Sequence, residues 1–164
     1  MVGLARIPLI WLLCLLSVLL HELGHALGYR LSAGKAGWRV VVGSGPRFAG
    51  APRVDLHLVP VGGYFLPGEA IQTKKGKLAT LAGGPVASLL LAVLYWALCS
   101  RVPALVAPGS ALRPVLLPAF SFLFYFNLFQ FFFTVVPVRY RIVCRGMESD
   151  GLQFVRVLKQ KDLD

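Results

Sequence analysis

His21, Glu22 and His25 stand within "LLHELGHALGYR", which follows directly on the apolar run "IPLIWLLCLLSVLL". Residues four apart on a helix lie one above the other on a single face, so both imidazoles reach toward one point. Two histidine nitrogens at that spacing suit a zinc ion at ~2.0–2.1 Å. Zinc brings the pKa of bound water to about 7, which makes hydroxide available at neutral pH. Glu22, next to the first histidine, is placed to take a proton as general base and return it to a leaving amine as acid. The H-E-x-x-H spacing therefore carries a mechanism, that of a metalloprotease. The bland reading is a polar cap on a greasy helix. An apolar setting disfavours it, because ionisable groups within a span cost about 2.5–3.5 kcal/mol near its centre and mark function.

A catalytic zinc site needs a third protein ligand, with the fourth position left open. Asp55, His57, Glu69, Cys144, Glu148 and Asp150 are the candidates on the same side of the chain's spans. Spacing alone does not choose among them. Asp150 opens a short helical pattern in "SDGLQFVRVLKQ", where an aspartate also serves as a helix cap.

The elements that must position these groups are mostly membrane spans. Apolar residues make up 57% of the 164, charged residues only 15%, and the mean hydropathy is +0.71. A soluble domain carries about 25% charged residues. Three stretches are long enough to cross a hydrocarbon core: residues 7–29, 78–99 and 115–138. Between the first two, β-prone runs broken by Gly and Pro predict a hairpin or small sheet over about 38–65. Three prolines predict a loop over 101–114. The expected fold is an all-α polytopic membrane protein: three core transmembrane helices, a membrane-associated β element and a short C-terminal amphipathic helix. Residues 1–164 read as a single membrane-embedded domain, with the first span retained because no small-x-small site follows it.

A net charge of +10 raises nucleic acid as a partner, but its distribution argues for membrane orientation and against nucleic-acid binding. Eight Lys and Arg lie in residues 30–77 and six in the C-terminal tail, so fourteen share one side of the membrane; Arg6, Arg101 and Arg113 make three on the other. The excess puts the β region, the tail and the histidines at the cytoplasmic side, in a multi-pass protein of the cell (plasma) membrane. Cys14, Cys99 and Cys144 are an odd, scattered set that forms neither a disulfide framework nor a thiolate zinc site. Nothing in the sequence fixes an oligomeric state.

Taken together, the chain resembles the site-2 protease family of intramembrane zinc metalloproteases. "HELGHALG" is similar to the family's first motif, and "GSGPRF" with "VDLHLVPVGGYF" to the β region that follows it. "LAGGPVASLLLAV" is similar to the Gly-Pro motif of the next span, and "TVVPV…SDGLQ" to the last motif. The resemblance implies that His21, His25 and Asp150 bind Zn2+, that Glu22 is the catalytic acid/base, and that the partner is a transmembrane protein substrate within the lipid bilayer. It also implies that residues 40–65 engage the substrate in extended form, with Gly62, Gly63 and Tyr64 as contacts. The physical logic is that an unwound peptide must find new partners for its backbone groups.

The sequence departs from the family pattern at two points. Thr134 stands where the last motif has Asn, and Asn127, about two helical turns earlier, is the candidate substitute as a substrate contact. An ordinary interhelical hydrogen bond is the other reading of Asn127. The stretch from Pro137 to Asp150 is long and contains Arg139, Arg141 and Arg145, so it must fold back if Asp150 is to reach the metal. If it does not, the same fold describes a metal-binding module without turnover. An unrelated surface protease would instead take His57 or Glu69 as third ligand.

Overall fold

A computed structural model describes residues 2–32, 37–140 and 146–160, with side chains from Ile7 onward. Cys144, Arg141 and Arg145 lie outside the described residues. The element order is α1 (Val2–Ser32), β1 (Trp38–Ala51), β2 (Val54–Pro67), α2 (Lys74–Leu105), α3 (Arg113–Val135) and α4 (Asp150–Lys159). Three of the helices are long and apolar enough to cross a membrane, over Ile7–Ser32, Lys74–Leu105 and Arg113–Val135. Their outward positions carry exposed Leu12, Leu16, Leu90, Val93, Trp96 and Phe122, the pattern of a surface that meets lipid.

Prolines account for three boundaries that differ from the sequence expectation. The helix expected to stop at Cys99 continues through Pro103 to Leu105. Proline removes one backbone donor, a small loss close to a helix end, and the Val106 N–H still closes onto the Val102 carbonyl. At the start of α3, Pro114 falls in the first turn, where its missing N–H has no partner to lose, so the helix begins at Arg113 inside the expected loop. The same helix ends at Val135 and not at Val138, because Pro137 pushes Val136 to extended geometry (φ −63°, ψ 125°).

Helices α1 and α2 pack through small residues. A Cβ on Gly24 would come within 2.8 Å of the Gly83 carbonyl carbon, and one on Gly28 within 2.8 Å of that of Ala79. Backbones this close need glycine on at least one side. The paired positions run in opposite directions along the two helices, so α1 and α2 are antiparallel.

The β element is larger than two plain strands. Val40, Val41 and Val42 pair with Phe65, Tyr64 and Gly63 on one side and with Val54, Asp55 and Leu56 on the other. The antiparallel hairpin therefore folds over on itself. Gly43 makes the bend with φ +82°, and a Cβ there would meet the Val59 carbonyl as well. Val40 and Val42 pack with Leu15 and Val18 of α1, making the apolar core that fixes the sheet to the helix. The Trp11 Nε1–H donates to the Leu58 carbonyl at 2.7 Å. The sheet thus follows α1 to a point about 15 Å, ten residues, N-terminal to His21.

Candidate metal centre

The two histidines of α1 face α2 across the glycine contact. His21 Nδ1 is 2.8 Å from Ser88 Oγ, and His25 Nδ1 is 2.8 Å from the Thr80 carbonyl oxygen. A carbonyl only accepts, so His25 Nδ1 carries the proton, and in the neutral ring Nε2 presents a lone pair. Both Nε2 atoms are aimed at one carboxylate. Asp150 Oδ2 lies 3.7 Å from His21 Nε2 and 3.5 Å from His25 Nε2. All three ligand atoms fall within 4.8 Å of one another.

Among the described residues of the long connection before Asp150, 138–140 pair back with 146–149 as a ribbon. Arg139 and Glu148 form an antiparallel bridge. The Tyr140 N–H donates to the Met147 carbonyl at 2.9 Å, and the Ser149 N–H to the Val138 carbonyl at 3.0 Å. Ser149 joins the three segments. Its buried Oγ donates to the Val136 carbonyl at 2.7 Å and accepts from the N–H groups of Val138 and Leu152, both at 3.1 Å. As N-cap of α4 it sets where Asp150 begins the helix. An aspartate carboxyl ionises well below neutral pH, so Asp150 presents a carboxylate to the two rings.

The donor set fits a tetrahedral divalent ion. Distances of 3.5 and 3.7 Å are long for hydrogen bonds but near the ~3.3 Å that separates two ligands of one zinc with ~2.0–2.1 Å bonds. With both rings neutral and protonated at Nδ1, the two Nε2 lone pairs and the carboxylate oxygen form a ligand set around a single cation. The space in front of them is kept by Gly84, where a Cβ would fall 2.7 Å from His21 Nε2 and against His25 Nε2. Each imidazole is also oriented through its other nitrogen, as metal-bound histidines are.

Glu22 is buried beside this group, and β2 crosses directly over it. A Cβ on Gly63 would lie 2.8 Å from Glu22 Oε1 and 2.7 Å from the Val41 carbonyl oxygen. A cleft of about 710 Å³ opens from here, lined by His21, Glu22, His25 and Asp150, by Gly62–Phe65 of β2 and by one face of α3. Asn127 is not part of that lining. It is fully buried, donating to Ser17 Oγ at 3.2 Å and to the Leu123 carbonyl at 2.8 Å, which places it at the contact of α3 with α1.

The other candidate ligands have different partners. Asp55 is ion-paired with Arg39 and Arg47 on the hairpin. The His57 ring is tied to the Gly45 carbonyl. Glu148 is clamped by Arg139 and Arg156, whose guanidinium groups hold its carboxyl below the ordinary range. Glu69 is exposed. Among the described residues, only His21, His25 and Asp150 gather as a metal-ligating group of three. Sequence reasoning reached Gly84, as part of a Gly-Gly-Pro stretch opening the backbone beside the metal, but missed Thr80 and Ser88. Their signal was present as a stripe of small residues every fourth position on α2, matching the four-residue spacing of the histidines.

Three apolar helices and a His-His-Asp group beside a buried carboxylate define a membrane protein with a candidate metal centre. The chain matches the model of Peptidase family M50 over residues 9–143 and belongs to that family, the site-2 protease family of membrane metalloproteases. No curated protein matches it.

Proposed function

We propose that the chain is an intramembrane zinc endopeptidase that hydrolyses a peptide bond in or near a membrane-spanning segment of its substrate, with residues 1–164 acting as one domain. The observation that carries this reading is the convergence of His21 and His25 from α1 with Asp150 from α4, with Glu22 buried alongside and the β2 backbone passing over it. Family membership supports protease chemistry of the metallo type.

His21, His25 and Asp150 would hold the zinc ion. Zinc bound there supplies Lewis acidity, polarising the scissile carbonyl and acidifying water. Glu22 accepts the proton that water loses and delivers it to the departing amine. Its burial keeps competing bulk water away from both transfers. The substrate must be extended at the cleaved bond, because helical hydrogen bonds shield a peptide group. Gly63–Pro67 pair only with Trp38–Val42 among the described residues, so the other edge of that segment is available to take up freed backbone groups within the cleft. The sheet lies at membrane depth along α1, and the basic side of the chain, with the cleft, faces the cytoplasm.

The test uses the purified chain reconstituted with a panel of single-span membrane proteins. Glu22→Gln is expected to retain zinc and lose cleavage. Near-stoichiometric zinc with no cleavage of any panel member by the native chain would replace this reading with a metal-binding module that does not turn over.

A further inference from the structure

Four buried side-chain oxygens lack a hydrogen bond among the described residues: Tyr29 Oη, Asp55 Oδ1, Asn127 Oδ1 and Gln130 Oε1. Asp55 Oδ1 is ion-paired with Arg47, and Tyr29 and Asn127 lie outside the cleft lining. Gln130 lines it. Three other polar side chains of the lining already have partners. Thr134 Oγ1 donates to the carbonyls of Gln130 and Phe131, Tyr140 Oη to that of Phe133, and Gln153 Nε2 to that of Glu148. Gln130 Oε1 is itself sealed from the cleft in the described side-chain position, and a turn of the carboxamide about its last, weakly restricted bond presents it to a ligand, whose hydrogen bond recovers the cost of the orphaned oxygen.

The cleft has the free edge of β2 on one wall and the Phe126–Thr134 face of α3 on another. An extended peptide has two rows of backbone groups pointing to opposite sides. One row pairs with β2. The other is left toward a wall that is otherwise Phe126, Phe129 and Phe133, and those N–H and C=O groups would be orphaned there. A carboxamide has the same donor and acceptor as a peptide bond.

We infer that Gln130 is a substrate-binding residue: its carboxamide pairs with one backbone unit of the extended substrate on the side away from β2, with Oε1 accepting the substrate N–H. This rests on the zinc endopeptidase reading and adds a specific polar contact to it. Gln130 thereby favours a substrate that is already strand-like at the cleaved bond, since a helical segment has no free N–H to offer.

The experiment uses the zinc-loaded full chain in detergent and two chelating probes. Acetohydroxamate reaches the metal alone; a hydroxamate with a Leu-Phe amide arm also lies along the cleft. Gln130→Met is expected to weaken the armed probe by about five- to tenfold, the worth of one ordinary hydrogen bond, and to leave acetohydroxamate affinity and zinc content unchanged. Methylating the arm's amide nitrogens one at a time should produce the same loss at one position in the native chain and none there in Gln130→Met. Gln130→Ala serves the same comparison if Gln130→Met does not hold zinc. Equal affinity of native and variant for the armed probe overturns the assignment, and so does a parallel loss for acetohydroxamate, which would make Gln130 a prop for the metal site. Failure of both probes on native protein removes the metal reading and this one with it.

Discussion

His25 Nε2 faces Asp150 Oδ2 across 3.5 Å, although one belongs to the first helix and the other to the last. His25 offers a lone pair and Asp150 a negative charge, and neither oxygen nor nitrogen brings a proton to the contact when the imidazole is neutral. Packing of α1 on α2 and the return of the chain at Ser149 enforce this approach. A cation would turn its electrostatic cost into binding energy.

Asp150→Asn is therefore expected to keep the fold and lose metal. The amide is the same size but has no charge and a poor ligand oxygen. Outer partners of metal ligands contribute 10- to 100-fold in affinity, so loss of a ligand itself should exceed about 100-fold. Zinc content after dialysis against a competing chelator measures it. Undiminished zinc in Asp150→Asn would remove Asp150 from the ligand set, and loss of zinc in His57→Ala would name its replacement.

Ser88→Ala tests the outer partner directly. Ser88 is fully buried and fixes the His21 ring through Nδ1. Its loss should lower zinc affinity by about 10- to 100-fold with His21 still present. A competitive titration with a zinc indicator gives the number; an unchanged affinity would mean that helix packing alone holds the ring.

Gly84→Ala separates space from stability. Alanine is the better helix former by about 1 kcal/mol, so propensity alone would stabilise α2. Its Cβ, however, would occupy the volume in front of both Nε2 atoms. The expected result is a helical protein by circular dichroism that no longer retains zinc. Full zinc occupancy in that variant would show that the ion sits elsewhere.

Much of this arrangement was legible in the residues. The i, i+4 histidines place themselves on one helix face, and three apolar runs declare the spans. Helix ends were less legible: Pro103 reads as a breaker but sits where α2 has few bonds left to lose, and Pro114 reads as loop but starts α3. The return of Asp150 was implied by the family resemblance but not readable from spacing, because it depends on pairing across a ribbon whose strands carry no strong β pattern. The same holds for the folded-over sheet, where Val40–Val42 gain partners on both edges only after the chain bends at Gly43. Gln130 and Ser88 look like ordinary polar residues in apolar helices, and only the contacts tell them apart.

The ribbon makes the last prediction. Ser149 N–H bonds to the Val138 carbonyl, and Ser149 Oγ bonds to Val136 and Val138, so the two ends of residues 139–148 are already joined without the segment between them. Replacing 139–148 by a two-residue Asn-Gly turn, which suits a tight hairpin, should therefore leave Asp150 in place and zinc affinity within about threefold of native. Ser149→Ala should do the opposite while keeping every residue of the ribbon. It removes the α4 cap, worth about 1 kcal/mol, and leaves the Val138 N–H without its acceptor, so Asp150 loosens and zinc affinity falls. Zinc titrations of the two variants side by side decide the matter. If the shortened chain loses zinc and Ser149→Ala keeps it, the ribbon and its Arg139–Glu148–Arg156 cluster position the ligand, and the serine does not.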